Sequence, residues 1–157
     1  MSRYVYEAKT KIYWCTAIAN IAAPTTTELN AGTDLTGFVT KDGLKVPATQ
    51  NMVDNATIKE TFDAQGVGSF GGSLTLIMFR DDTADTAWNL CVYGTVGFLA
   101  VRRGIDVATA WASAQKLEVY PAQMHQPVPI DSATNQQVKF TEMMAVTAQP
   151  NLKSAVA

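Results

Sequence analysis

Charge, histidine and cysteine are all scarce in this sequence, and each scarcity removes a class of function. Of 157 residues only 17% are charged, with 12 basic against 14 acidic side chains and a net charge of −2. Such a balance offers no basic face for tight nucleic-acid binding and no polybasic stretch for a membrane surface. His125 is the only histidine, a poor inventory for a metal centre or a histidine-based triad. The two cysteines, Cys15 and Cys91, lie far apart in apolar surroundings; they read as small buried thiols in a reducing compartment rather than as a disulfide. No apolar run near the N-terminus has signal-peptide length and none elsewhere is long enough to span a bilayer. The chain is therefore expected to be made in a cytoplasm and to stay soluble there. Internal repeats and low-complexity tracts are also missing.

What is present is apolar material: 47% hydrophobic and 9% aromatic residues, enough for one domain with a core. Alternation and β-branched or aromatic content predict strands over Ile12–Ile18, Thr57–Phe62, Leu74–Arg80, Val96–Arg102, Leu117–Met124 and Val138–Val146. One helix is predicted over Thr83–Tyr93, where Ala84, Ala87, Trp88 and Cys91 share a face, with Asp82 as its cap. A helical turn is expected over Thr26–Asn30, and Val107–Ser113 is ambiguous between helix and strand. Long polar loops are expected over Thr40–Asn55 and His125–Asn135, the second marked by Pro127 and Pro129. The reading is a single domain over 1–157, with an N-terminal arm of about residues 1–11, where Tyr4 and Tyr6 are candidates to dock on a neighbour. A C-terminal tail of about residues 148–157 is expected to lack a partner within the domain.

Several motifs invite a chemical reading. Gly66–Gly72, "GVGSFGG", has the G-x-G-x-x-G spacing of a dinucleotide site, but that fingerprint works only between a buried strand and a helix. Here the flanks are half-polar "ETFDAQ" and strand-like "SLTLIMF", which predicts a glycine turn between two strands. Asp81-Asp-Thr-Ala-Asp85 spells D-D-x-x-D, a diphosphate-metal spacing in all-helical enzymes; at a strand end it reads as helix capping. Arg102-Arg103 reads as a solvated strand end or intersubunit salt bridge before a phosphate contact, and Trp88, Trp111 and Phe98 as core or interface anchors. No catalytic set emerges: catalytic residues, cofactors and metals are expected to be none. A chain of this kind binds or builds.

Taken in order, the segments "APTTTELNAGTDLT" (Ala23–Thr36), "NATIKETFD", "LTLIMFRDD", "TADTAWNLC", "GFLAVRRG", "LEVYPAQ" and "VKFTEMMAVTAQP" resemble the tail tube proteins, or major tail proteins, of long-tailed bacteriophages of the siphovirus type. The first is similar to a P-T-x-x-E-L/I-N-A-G-x-D-L/I segment in tube proteins of phages of actinobacteria, and the resemblance spans roughly Tyr13–Val146. It implies a mainly β fold, a β-sandwich or split barrel with one flanking α-helix. It further implies hexameric rings stacked into a hollow tube, assembled in the host bacterial cytoplasm and carried in the virion tail. The implied partners are other copies of the chain, a tape-measure protein, tail tip and terminator proteins, and double-stranded DNA in transient non-specific passage, with no membrane. A weakly acidic ring would mildly repel phosphate, as a conduit should. Alternation on the polar faces of Thr57–Phe62 and Val138–Val146 singles out Lys59, Thr61, Lys139 and Thr141 as facing the lumen or an intersubunit groove. The alternatives are a tube ring of a contractile injection or secretion system, distinguished by a neighbouring sheath gene, and a small ligand-binding β module using the glycine loop.

Overall fold

A computed structural model of the chain describes Arg3 and residues 6–157. Twelve elements follow in order: β1 (Thr10–Cys15), α1 (Thr26–Asn30), β2 (Thr33–Asp34), β3 (Val39–Lys45), β4 (Ala48–Asp54), β5 (Gln65–Phe79), α2 (Thr86–Leu90), β6 (Val96–Arg103), β7 (Lys116–Met124), β8 (Val128–Ile130), β9 (Lys139–Val146) and β10 (Asn151–Ala155). Strand accounts for 46% of the chain and helix for 7%, and the sheet curls into a half-barrel with two small helices. The mainly β expectation is met, with a second helix added. Every ladder is antiparallel, in the order β2-β1-β6-β7-β9-β5-β3; β4 pairs with β5, β8 with β9 and β10 with β7.

The middle of the sheet is buried on both faces. On β6, Leu99 and Val101 point into one core layer with Ile12, Trp14, Tyr120 and Met124. Ala100, between them, points into a second layer with Cys15, Leu117, Val119 and Trp111. This two-sided burial is why β6 reads as a nearly unbroken apolar run rather than as an alternation. The first layer is closed by α2 through Ala87, Trp88, Leu90 and Cys91. The second is roofed by α1 through Leu29 and by Val156 from the C-terminus. Helix α1 starts where expected because Thr25 and Glu28 form a capping box: Glu28 N donates to Thr25 Oγ1 at 3.2 Å and Thr25 N to Glu28 Oε2 at 2.8 Å. Both satisfy amides that the first turn leaves without partners.

Six expectations are corrected. Thr57–Phe62 is not a strand: it belongs to the loop 55–64 joining β4 to β5. Its polar residues spend their hydrogen bonds locally, Ala56 N donating to Asp54 Oδ1 and Thr57 N to Glu60 Oε2, both at 2.9 Å, which competes with ladder formation. Thr40–Asn55, read as a loop, holds most of β3 and all of β4, and the "glycine turn" lies within the fifteen-residue strand β5. The helix expected over Thr83–Tyr93 shortens to Thr86–Leu90, because Asp85 takes a left-handed conformation (φ 47°) and Asp82 does not cap it. His125–Asn135 contains β8, with Pro129 on it; β8 pairs only with β9, and proline is tolerated on such an edge. The C-terminal segment is not free. After β9 leaves β7 at Ala122, β10 takes over the same edge of β7 from Val119 to Lys116. It is held there by the buried Ser154, whose Oγ donates to Ile21 O. Val107–Ser113 is neither helix nor strand, and of the two N-terminal tyrosines Tyr4 lies outside the described residues while Tyr6 is exposed.

Gly97 marks the tightest approach between β1 and β6: a Cβ there would lie 2.6 Å from Trp14 Cζ2 and 2.7 Å from the Cys15 carbonyl oxygen. Gly97→Ala is expected to destabilise the fold by about 1–3 kcal/mol through overpacking. Gly71→Ala, with nothing within 4 Å of its added Cβ, is the matched control. Urea midpoints check both; equal midpoints would mean that β1 and β6 have room to separate.

Candidate assembly surface

The layer that α1 and Val156 roof over β1, β6 and β7 continues, uncovered, onto β5 and β9. Thr75, Ile77 and Phe79 on β5 and Lys139 and Thr141 on β9 are half-buried there, and Met143 is 53% exposed. Register brings Thr141 opposite Ile77 and Val128, and Lys139 opposite Phe79 and Ile130. Lys139 Nζ sits 5.3 Å from the Phe79 ring centroid, a cation–π contact that fixes the ammonium over the sheet. The result is an open sheet face of threonines and aliphatic side chains edged by one lysine.

Beyond Ser73, β5 leaves β9 and runs on with β4 alone as a two-stranded arm. All seven residues of β4 are exposed, and Met52, Val67 and Phe70 on the arm show large apolar surfaces to water. The arm contains "GVGSFGG", which answers the phosphate question: the segment is strand, paired Met52↔Val67, Val53↔Gly66 and Gln50↔Phe70, and no helix follows it. The register shifts between Gln50 and Met52. At that bulge a Cβ on Gly68 would lie 2.7 Å from the Asn51 carbonyl oxygen, so close backbone approach, not phosphate, requires the glycine.

The four candidate residues divide into two places. Lys139 and Thr141 lie on the open face, while Lys59 and Thr61 are exposed in loop 55–64 at the arm's tip. Gln65 and Phe79 end the same fifteen-residue strand, so the pairs lie toward its opposite ends, which at about 3.3 Å per residue are at most about 45 Å apart. Sequence alternation had no means of showing this, because it treated the tip as a strand of the body. It also missed Ile58 and Phe62, the two most exposed apolar side chains of the loop; their signal was an apolar pair within an otherwise polar stretch.

The remaining charged motifs are occupied internally. Arg80 Nε donates to Asp85 Oδ2 at 2.9 Å and its guanidinium lies 4.4 Å from the Trp88 ring centroid; this pairing holds the Asp85 carboxyl below its usual range. Asp81 accepts from Thr83 N. Arg102 is fully buried and donates to the carbonyls of Asp106, Thr109 and Ala110 and to Gln115 Oε1, so it pins the loop 104–115 under Trp111. Arg103 pairs with Glu118 at 3.0 Å. These contacts within the chain replace the solvated end or intersubunit bridge expected from Arg102-Arg103. Cys15 and Cys91 are free buried thiols, as expected, with burial pushing them up to about 11 and about 12. Among the described residues no group of three histidines, cysteines or carboxylates is placed to hold a metal, and no helix is long and apolar enough to cross a membrane.

A family model described as phage tail tube protein matches residues 1–157, and the chain belongs to that family. A search of curated proteins returns no match. Membership makes the chain a structural component of a phage tail that assembles with copies of itself and other tail proteins. The open face and the arm are its candidate contact surfaces.

One buried group behind the open face titrates near neutrality. Glu142 on β9 points into the core, its Oε1 accepting from His125 N at 2.9 Å while Oε2 has no hydrogen-bond partner among the described residues and the weakly donating Cys91 thiol stands beside it. Burial pushes its carboxyl up to about 7. A raised carboxyl pKa means that the folded chain holds a proton the unfolded chain has released between about pH 4.5 and 7. Stability from this group is therefore full below about pH 4.5 and is lost as pH rises through about 7. The wild-type Tm is expected to fall as pH rises from about 4.5 to about 7, and Glu142→Gln is expected to flatten that fall. Parallel Tm–pH curves for the two proteins would show that Glu142 does not carry it.

Proposed function

We propose that this chain forms hexameric rings that stack into the hollow tube of a flexible, siphovirus-type tail, through which genome DNA passes into the host. The observation that carries the reading is the arm: a two-stranded ribbon with neither face covered, on a chain of the tail tube family. An isolated two-stranded ribbon is marginal in water, and exposed apolar patches of this kind mark contact surfaces, so the arm is built to be completed by another subunit. Residues 1–157 act as one tail tube domain. Assembly takes place in the host cytoplasm, around a tape-measure protein and between tail tip and terminator proteins. The protein has no catalytic role.

Within this reading Lys139 and Thr141 face the lumen, while Lys59 and Thr61, carried on the arm, enter an intersubunit groove. A lumen wall should not grip its cargo. The threonine-rich open face and the net charge of −2 per chain suit weak contact with phosphate.

Electron microscopy with light scattering, on protein purified at low and high concentration, tests the assembly. Rings or hollow tubes with sixfold end views are expected at high concentration. Protein that stays a single chain at every concentration, even with a tail tip complex added as a nucleus, would overturn the proposal. In an assembled phage, Thr141→Arg is expected to leave tail length unchanged and to slow DNA release several-fold by placing a cation in the phosphate path. Release at the wild-type rate would remove Thr141 from the lumen.

A further inference from the structure

A cleft of about 620 Å³ opens at the root of the arm, where β5 diverges from β9 on one side and β10 follows β7 on the other. Pro47 and Phe70 form the arm-side wall, Pro150 and Leu152 the opposite wall, and Tyr120 and Val146 lie between; no charged residue lines it. Both walls are unpaired strand edges or connections, so the cleft has apolar side chains and free backbone groups but nothing of its own to fill it. The tip of the same arm carries the complementary feature. Ile58 is 103% and Phe62 78% exposed, two bulky apolar side chains turned fully to water in a chain with ample core to receive them.

We infer that the tip of the β4–β5 arm in one copy, through Ile58 and Phe62, seats in the cleft at the root of the arm in a second copy. This rests on the self-assembly reading above and names the surfaces that carry it. The tip cannot serve its own cleft. The ladder from Gln65 to Gly72, paired residue by residue with β4, holds the two about 20 Å apart at about 3.3 Å per residue. Chemistry selects the occupant: the cleft is uncharged and the tip presents an aliphatic and an aromatic group side by side. Lys59, Glu60 and Asp63, the tip's charged residues, stay at the rim beside Gln50 and Gln149 of the receiving copy. Because plug and socket are different patches of one chain, the contact is head-to-tail. Such a contact does not close on a pair of molecules but propagates into rings or open stacks.

The test uses the full chain carrying Phe62→Cys and Ala148→Cys, concentrated to the point of assembly, oxidised with copper phenanthroline and run on a non-reducing gel. Cys15 and Cys91 are buried, so the wild-type chain is the background. A ladder of covalent multimers is expected, and a mixture of the two single variants should yield dimers containing one of each. Tubes that form without the ladder, or a cross-link confined within single chains, would overturn the inference while leaving self-assembly intact. A wild-type chain that never associates would overturn both. Phe62→Asp guards against a double variant that fails to fold: it should raise the concentration needed for assembly at least tenfold with an unchanged monomer Tm. Assembly of that variant at the wild-type concentration would sink the inference, as would the amphiphilic dye 8-anilinonaphthalene-1-sulfonate occupying the cleft equally in monomer and tube.

Discussion

A β-ladder satisfies its own backbone polar groups along the strands but leaves two faces and two edges to be covered by something else. How far this chain covers them decides every other feature of the structure. Three strands, β1, β6 and β7, are covered on both faces, by α2 and the first core layer on one side and by α1, Trp111 and Val156 on the other. Two strands, β5 and β9, are covered on one. The arm of β4 and distal β5 is covered on neither. Coverage falls off across the sheet from β6 and β7 toward β5 and the arm.

The covered end is held by interactions that leave nothing for outside ligands. Burying Arg102 removes a cation from water, a cost offset only because three backbone carbonyls and Gln115 Oε1 accept from it and the Trp111 face lies 4.8 Å from its guanidinium carbon. The acids of Asp81–Asp85 are likewise engaged by Thr83 and Arg80. Motifs that suggest phosphate or metal chemistry in the sequence are therefore parts of turns and roofs. What the chain offers to others is sheet: an open face and a ribbon.

Legibility in the sequence followed burial. Strands with at least one covered face have a pattern that burial imposes, so β6, β7, β9 and the proximal half of β5 stood out within a residue or two, and the Thr25–Glu28 capping box placed α1. Where no face is covered, no pattern is imposed. The segment "ATQNMVD" forms β4 yet reads as polar loop, as does "VTKDGLK" of β3, which lends only Val39 and Leu44 to the core, and the glycines of distal β5 read as a turn because glycine has no side chain with which to mark a face. The opposite error occurred at Thr57–Phe62, where chance alternation mimicked a strand although Asp54 and Glu60 satisfy the loop's amides locally. Of the candidate site, Lys139 and Thr141 were legible as one face of a true strand; their separation from Lys59 and Thr61 was not, since it depends on the arm. The pairing of β10 with β7 was hidden for a different reason. It depends on β9 vacating an edge, which is a property of the sheet and not of residues 151–155.

The glycines of the arm follow from the same constraint. Gly68 is needed where the ribbon's register slips, because the Asn51 carbonyl occupies the space of a Cβ, and Gly71 and Gly72 lie at the root beside the cleft. A ribbon so poor in side chains has weakly specified register and little burial of its own to set against the entropy of ordering it. A free chain therefore gains little from a rigid arm, whereas in the proposed assembly a neighbouring subunit supplies the missing faces and the order together. Coupling the stability of the arm to contact would make the assembled state the one in which its strands are fully paid for, and would leave β1, β6 and β7, covered on both sides, independent of that event.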